Sequence, residues 1–267
     1  MVWLLDLVGQ LCLNISKKEK QMSTLESITQ IVKNCGAIML GADRRSLGID
    51  EKAGPANFVT EYDKKIENIL REELLSLLPD AGFIGEEGEQ AFFSDKGRFF
   101  IVDPIDGTTN FIKDYKQSCI SVALIEDGEA SIGVVYNPYS DEMFTAQKGQ
   151  GAFCNGKEIR VSRQPLENGI VLFGTSPYYE ELNEESFKKA FDYFKKALDI
   201  RRSGSAALDL CSIAAGRAEL YFELRLSPWD FAAGALLVKE AGGKVTTVDG
   251  QEITYDKPCS VLASNGL

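Results

Sequence analysis

The apolar stretch Phe99-Phe100-Ile101-Val102 runs straight into Asp103-Pro104-Ile105-Asp106-Gly107-Thr108-Thr109-Asn110, and this junction constrains the fold more than any other feature of the chain. Four consecutive large apolar residues read as a strand buried on both faces, which requires covering layers above and below it. Asp103 then stands at the strand's C-terminal edge. Pro104 fixes φ and has no N–H, so the regular strand is predicted to stop there, with a turn bending Asp103 and Asp106 toward one point. Gly107 lets the backbone approach a ligand closely. Thr108-Thr109-Asn110 reads as the first turn of a helix, its free N–H groups facing the same point. Those N–H groups attract an anion and the carboxylates attract cations. A phosphate bridged to Mg²⁺ satisfies both.

Composition narrows the chemistry. The 267 residues contain 40 acids against 29 Lys and Arg, a net charge of −11. Such a surface repels nucleic acid, so none is expected as a partner. The chain has no histidine, which excludes Ser-His-Asp and Cys-His nucleophiles and His-ligated zinc or haem. General base work falls to carboxylates, lysine, a hydroxyl or water polarised by a metal. The six cysteines are scattered without a C-x-x-C pair, so no zinc site or disulfide framework is signalled, and reduced thiols in a cytoplasm fit best. Residues 2–15 are apolar on one helical face (Leu4, Leu5, Val8, Leu11, Cys12, Ile15). They are too short for a membrane span and lack a signal peptide's basic flank, so a docked amphipathic helix is expected. A start at Met22 stays open.

Along the chain, Ser23-x-x-Glu26 is a capping box opening a helix, and Thr60-x-x-Asp63 opens a second one that Pro79 stops. A Gly-rich polar loop, residues 48–57, lies between them. Residues 83–87 form a short strand running into acids. After the Asp103–Asn110 junction, strands at 119–125, 132–136 and 143–146 alternate with turns at Asp127-Gly128 and Asn137-Pro138, and Asn155-Gly156 signals a hairpin. This half reads as α+β with a largely antiparallel sheet. Beyond Arg163, a strand at 170–174 precedes a helix over 183–198 with Phe187, Phe191 and Phe194 on its apolar side. A helix at 205–215, a strand at 218–223, a helix from Pro228 through Ala241 and strands at 245–248 and 261–263 follow, so this half reads as α/β. The expected division is an N-terminal extension (1–22), a sub-domain with most of the clustered acids (23–163) and a smaller C-terminal sub-domain (164–267).

Glu86, Asp103, Asp106 and Asp230 all fall where apolar strands end or a helix begins. Bland readings exist for several. Asp63 also serves as cap partner of Thr60, Asp230 as a first-turn helix acid after Pro228, and Glu86-Glu87 as solvated loop acids.

Taken together, residues 83–87 (FIGEE), 103–111 (DPIDGTTNF), 204–207 (GSAA) and 229–234 (WDFAAG) resemble the inositol monophosphatase family of Mg²⁺-dependent, lithium-sensitive sugar phosphatases. The resemblance runs from Leu25 to the C-terminus with every signature block in order. It implies a layered αβαβα sandwich, commonly a homodimer, with two or three Mg²⁺ ions per site and a small phosphorylated polyol or sugar as substrate. Glu86, Asp103 and the Ile105 carbonyl match ligands of one ion. Asp103, Asp106 and Asp230 match those of a second. Gly107 and Thr108 match the N–H groups that hold the phosphate. Asp63 and Thr108 match the pair that polarises the attacking water, and Lys52 a lysine near the phosphate. Ala206 and Glu223, with Asp106 and Asp230, match substrate contacts.

Arg225 falls in the stretch 224–228 where family members differ, and Arg201 and Arg202 raise the same question. Each is either a solvent-facing or dimer-contact residue or a contact for a second anionic group, which would favour fructose 1,6-bisphosphate or a nucleotide bisphosphate; histidinol phosphate is a further candidate. If strand alternation persists past Glu223, Arg225 shares its face; if not, Arg225 stands free at the rim. Two enzymatic rivals fail. A haloacid-dehalogenase type needs D-x-D, where this chain has D-x-x-D, and no G-x-x-x-x-G-K-[ST] loop occurs. A non-enzymatic regulatory protein on the same fold would be favoured by loss of a metal ligand, and every expected ligand is present.

Overall fold

The computed structural model describes residues 22–52, 58–88 and 96–267. The helix expected in residues 2–15 lies outside them, as does part of the 48–57 loop. Helix α1 (Thr24–Leu40) starts at Ser23 through the expected capping box. A two-residue pair, β1 (Asp50–Glu51) and β2 (Phe58–Val59), leads to α2 (Glu61–Leu77). A seven-stranded sheet then forms in chain order from β3 (Gly82–Gly85), β4 (Arg98–Asp106), β5 (Cys119–Glu126), β6 (Glu129–Asn137), β7 (Glu142–Gln147), β8 (Ala152–Cys154) and β9 (Lys157–Ile159). A short helix, α3 (Thr108–Ile112), follows β4. Only the β3–β4 pair is parallel. Asn155 and Gly156 both take positive φ at the β8–β9 hairpin, the signature of its turn type.

The second sheet has five strands in the order β11 (Asp199–Arg201), β10 (Ile170–Phe173), β12 (Leu220–Leu226), β14 (Cys259–Ser264), β13 (Lys244–Thr246). Its β11–β10–β12 part is parallel and the remainder antiparallel. Three helices complete the chain: α4 (Asn183–Phe194), α5 (Ala206–Ala214) and α6 (Pro228–Glu240).

Five layers result. Helices α1 and α2 cover one face of the large sheet, α5 and α6 fill the space between the sheets, and α4 covers the outer face of the small sheet. Strand β5 shows how its sequence serves two layers. Ile120, Val122 and Leu124 point to α1 and α2, while Cys119, Ala123 and Ile125 point to α5 and α6. A strand buried on both faces needs an unbroken apolar run, and each large side chain so buried contributes about 2 kcal/mol. Helix α6 lies close against the sheet at Gly133, where a Cβ would meet the Ala233 carbonyl at 2.8 Å.

Two expectations need correction. Strand β4 does not stop at Asp103. It continues to Asp106, with Asp103 opposite Ser121 and Asp106 opposite Cys119. Three residues of β4 are thus spanned by two of β5, a β-bulge. Pro104 sits in the bulge, where a missing N–H costs no ladder hydrogen bond. The other correction concerns α4, which ends at Phe194 rather than Leu198. It packs through Ala190 and Tyr193, with Ala197 just beyond its end, while Phe187, Phe191, Phe194 and Leu198 are each about half or more exposed. The small Ser186 and Ala190 form its buried face and let the helix lie close to the sheet.

Candidate active site

The β4 bulge positions the first two acids. Residues three apart on a regular strand point to opposite faces; one extra residue restores them to the same face. Asp103 and Asp106 therefore both line a single cavity of about 580 Å³, together with Glu86 and Asp230. Glu86 follows β3, parallel neighbour of β4, and Asp230 lies in the first turn of α6. Gly107, Thr108, Ala206, Glu223 and Lys52 line the same cavity, and Asp63 reaches it through Thr108.

Each acid is turned toward a local donor. Asp103 accepts the Ile105 N–H at 3.0 Å. Asp106 accepts the Ser205 hydroxyl at 2.5 Å and the Ala207 N–H at 2.8 Å, tying it to the start of α5. Asp230 accepts the Ser227 N–H at 2.7 Å as part of the α6 capping box, so its bland role is real. As they stand, no three Asp, Glu or Cys side chains of the described residues form a closed metal cage. The electrostatics nonetheless mark the group. Burial, followed by the Glu86, Asp106 and Asp230 charges, lifts Asp103 well above the carboxylate range. Burial and then Glu86 do the same for Asp230, and burial brings Asp106 to about 6 despite its donors. Mutual repulsion in an all-oxygen site is the condition a hard divalent cation relieves.

Asp63 divides its two oxygens between two jobs. Oδ2 accepts the Thr60 N–H at 2.8 Å and closes the α2 capping box. Oδ1 faces the Thr108 hydroxyl at 3.3 Å. Burial is the main reason its carboxyl is pushed up to about 6. Gly107 has φ +83°, and a Cβ there would meet the Gln117 carbonyl at 2.9 Å, so only glycine fits. Lys52 Nζ lies 3.2 Å from Glu86 and 2.6 Å from Glu87. Burial works against its charge, but the two carboxylates outweigh this and raise its pKa.

Glu223 is buried and well occupied. It accepts the Ser176 N–H and the Tyr221 hydroxyl, each at 2.7 Å. It thereby fixes residues 174–179 along the cavity wall. Strand β12 continues to Leu226, but a second bulge between Glu223 and Leu226 breaks the alternation. Arg225 consequently leaves Glu223's face and stacks over Tyr179, 4.5 Å from its ring centre. Arg202 lines the cavity and donates to Thr175 at 3.2 Å. Arg201 pairs with Asp199 instead and is not part of the lining.

The sequence reading missed Glu67 and Arg71. They lie four and eight residues after Asp63, on the same side of α2. Buried Glu67 accepts the Glu87 N–H at 2.8 Å and the Arg71 guanidinium at 3.1 Å, and Arg71 covers the Phe83 ring at 4.2 Å. The segment carrying Glu86 is thus clamped to the helix carrying Asp63. Glu67→Leu leaves a buried N–H and a partly buried arginine without partners. An expected stability loss of about 3 kcal/mol follows, to be read from denaturant unfolding.

Residues 21–267 match the profile of the inositol monophosphatase family. The chain belongs to that family. It is 44% identical over 199 residues to the inositol-1-monophosphatase of Rhizobium meliloti, covering 74% of each chain. It is equally 44% identical over 215 residues to the Nus factor SuhB of Vibrio cholerae, covering 79% of each. Among solved structures, the extragenic suppressor protein suhB of Bartonella henselae superposes with a TM-score of 0.83 at 37% identity, covering 88% of this chain and 91% of that one. No helix of the described residues is long and apolar enough to cross a membrane.

Proposed function

We propose that this family member is a Mg²⁺-dependent phosphatase that hydrolyses a small polyol phosphate monoester, with inositol 1-phosphate first. The observation that carries the reading is the convergence of Glu86, Asp103, Asp106 and Asp230 on one cavity beside Gly107 and Thr108. The oxygen-only donor set fits Mg²⁺. Glu86, Asp103, the Ile105 carbonyl, Asp106 and Asp230 would hold two or three ions. Bound cations neutralise charge on the transferring phosphoryl group and lower the pKa of water.

The chain's own groups do the remaining work. The Gly107 and Thr108 N–H groups hold the phosphate. The Thr108 hydroxyl, directed at Asp63 Oδ1, takes a hydrogen bond from the attacking water and relays its proton to Asp63. A carboxyl near 6 suits a base working close to neutrality. Lys52 offsets the Glu86 and Glu87 charges. Ala206 and Glu223 contact the polyol, and the cavity volume suits a sugar-sized ring. Free thiols at Cys35, Cys119, Cys154, Cys211 and Cys259 support a cytoplasmic setting.

Fructose 1,6-bisphosphate is the second substrate reading, favoured by Arg202 and Arg225 on the cavity wall. A regulatory role is the second functional class, favoured by the Nus factor name of the Vibrio relative. The test is phosphate release from inositol 1-phosphate, fructose 1,6-bisphosphate, adenosine 3′,5′-bisphosphate and histidinol phosphate, each with and without Mg²⁺. Release from none of them overturns the enzymatic reading; strong preference for the bisphosphate overturns the ranking. For Glu223→Gln, KM for inositol 1-phosphate is expected to rise about 10-fold with little change for the bisphosphate, because only the polyol loses a carboxylate acceptor.

A further inference from the structure

Strand β10 of the small sheet runs into a segment along the cavity wall that is fixed at nearly every residue. Ser176 takes φ +44°, a conformation uncommon for a residue with a Cβ. Its N–H donates to Glu223 at 2.7 Å, and its Oγ donates to the Arg225 carbonyl at 2.8 Å and accepts the Arg225 N–H at 3.1 Å. The Tyr179 N–H closes a turn onto the Ser176 carbonyl at 2.9 Å, with Pro177 and Tyr178 as its central residues. Tyr179 is held in turn by the Arg225 guanidinium, 4.5 Å from its ring centre. An unusual backbone conformation secured from several sides points to what it presents. The side chain at the centre of this turn is Tyr178.

Tyr178 lines the cavity, although 44% of the residue is exposed. Burial is the first influence on its hydroxyl, followed by the charges of Glu86, Asp230, Asp103 and Asp106, and all of them raise its pKa. The carboxylates that weigh most on the phenol are thus the proposed cation ligands, not Glu223 on the polyol side. Among the described residues its hydroxyl has no hydrogen-bond partner, whereas those of Tyr62, Tyr136, Tyr139 and Tyr221 all bond within the fold. It is a neutral donor, kept protonated, on the side of the cavity where the acids stand. Once cations neutralise those acids, the anion that enters there is the phosphate. We infer that Tyr178 is a phosphate-binding residue of this site, its hydroxyl donating to a non-bridging phosphate oxygen from the small sheet while the Gly107 and Thr108 N–H groups meet the phosphate from the large one. This rests on the phosphatase reading above. A phenol suits the task because it binds a dianion without adding a charge that would compete with the cations.

The test titrates inorganic phosphate into the Mg²⁺-saturated full chain by calorimetry, comparing wild type with Tyr178→Phe. The variant keeps the ring and loses only the donor, so its melting temperature is expected to match that of the wild type. Phosphate affinity is expected to fall about 10-fold, the effect of one hydrogen bond to a charged group. Mg²⁺ affinity measured without phosphate stays the same, because the hydroxyl serves the anion and not the cations. In turnover, KM for inositol 1-phosphate rises by a similar factor while kcat holds, since the bond is made in ground and transition states alike. A variant that binds phosphate as the wild type does overturns the assignment and leaves the phosphatase reading standing. So does one that loses Mg²⁺ affinity to the same extent, or one that loses kcat with phosphate affinity intact. A wild type that binds no phosphate with Mg²⁺ present overturns the phosphatase reading and this assignment with it.

Discussion

Asp103→Asn is expected to lower kcat/KM on the order of 1000-fold while leaving the metal-free protein folded and slightly more stable. Two effects of opposite sign meet at this residue. Asp103 is proposed to touch both cations, so removing its charge weakens the electrostatic stabilisation that dominates phosphoryl transfer. In the metal-free protein the same charge is a burden. Burial raises the Asp103 pKa first, and the charges of Glu86, Asp106 and Asp230 add to it. An asparagine Oδ1 still accepts the Ile105 N–H that holds the bulge. Phosphate release and calorimetric unfolding, run on one preparation, separate the two effects. Near-normal Mg²⁺-dependent turnover would sink the two-cation assignment.

The metal-free protein is also expected to lose stability as pH rises toward neutrality, and Mg²⁺ is expected to restore it. Burial raises Asp63 from 3.8 to about 6. Below 3.8 both folded and unfolded chains carry the proton and no penalty exists. As pH rises through that value the unfolded chain releases its proton first, so folding becomes less favourable. The loss is complete above about 6 and amounts to about 3 kcal/mol for this group. Burial brings Asp106 to about 6 as well. Burial, then the neighbouring Glu86, takes Glu87 to about 7, extending the window upward. With a chelator present, the melting temperature should fall by about 10 °C across this window. Saturating Mg²⁺ binds the folded state and flattens the slope. A pH-independent melting temperature in chelator would contradict the burial of these carboxylates.

The parts of the site legible in the sequence are those fixed by local rules. Both capping boxes, at Ser23 with Glu26 and Thr60 with Asp63, depend on neighbours three residues apart, and both form. Gly107 is readable because its conformation admits no other residue. The bulges were not legible. Pro104 announces a break in the strand, but whether the chain turns or bulges depends on Ser121 and Cys119 of the next strand. The second bulge likewise decided which way Arg225 points, against Val261 and Cys259. Glu67 escaped notice because a glutamate on a polar helix carries no signal until the loop above it is known. Periodicity drew the Phe187 stripe correctly but gave the wrong side, since Ala190 and Ser186 on the neighbouring face suit close packing better than rings do.

The acids of the cavity come from distant parts of the chain. Asp230 lies 127 positions after Asp103 and reaches the cavity only when α6 docks between the two sheets. During synthesis a nascent chain therefore carries Glu86, Asp103 and Asp106 on the large sheet well before the last acid emerges. Full affinity for a bound cation is expected only once α6 has docked and brought Asp230 to the cavity. Closing so long a loop is slow relative to local helix and hairpin formation. An ion bound there would thus seal a folded site rather than nucleate one, and a product truncated before α6 is expected to bind Mg²⁺ more weakly than one that contains it.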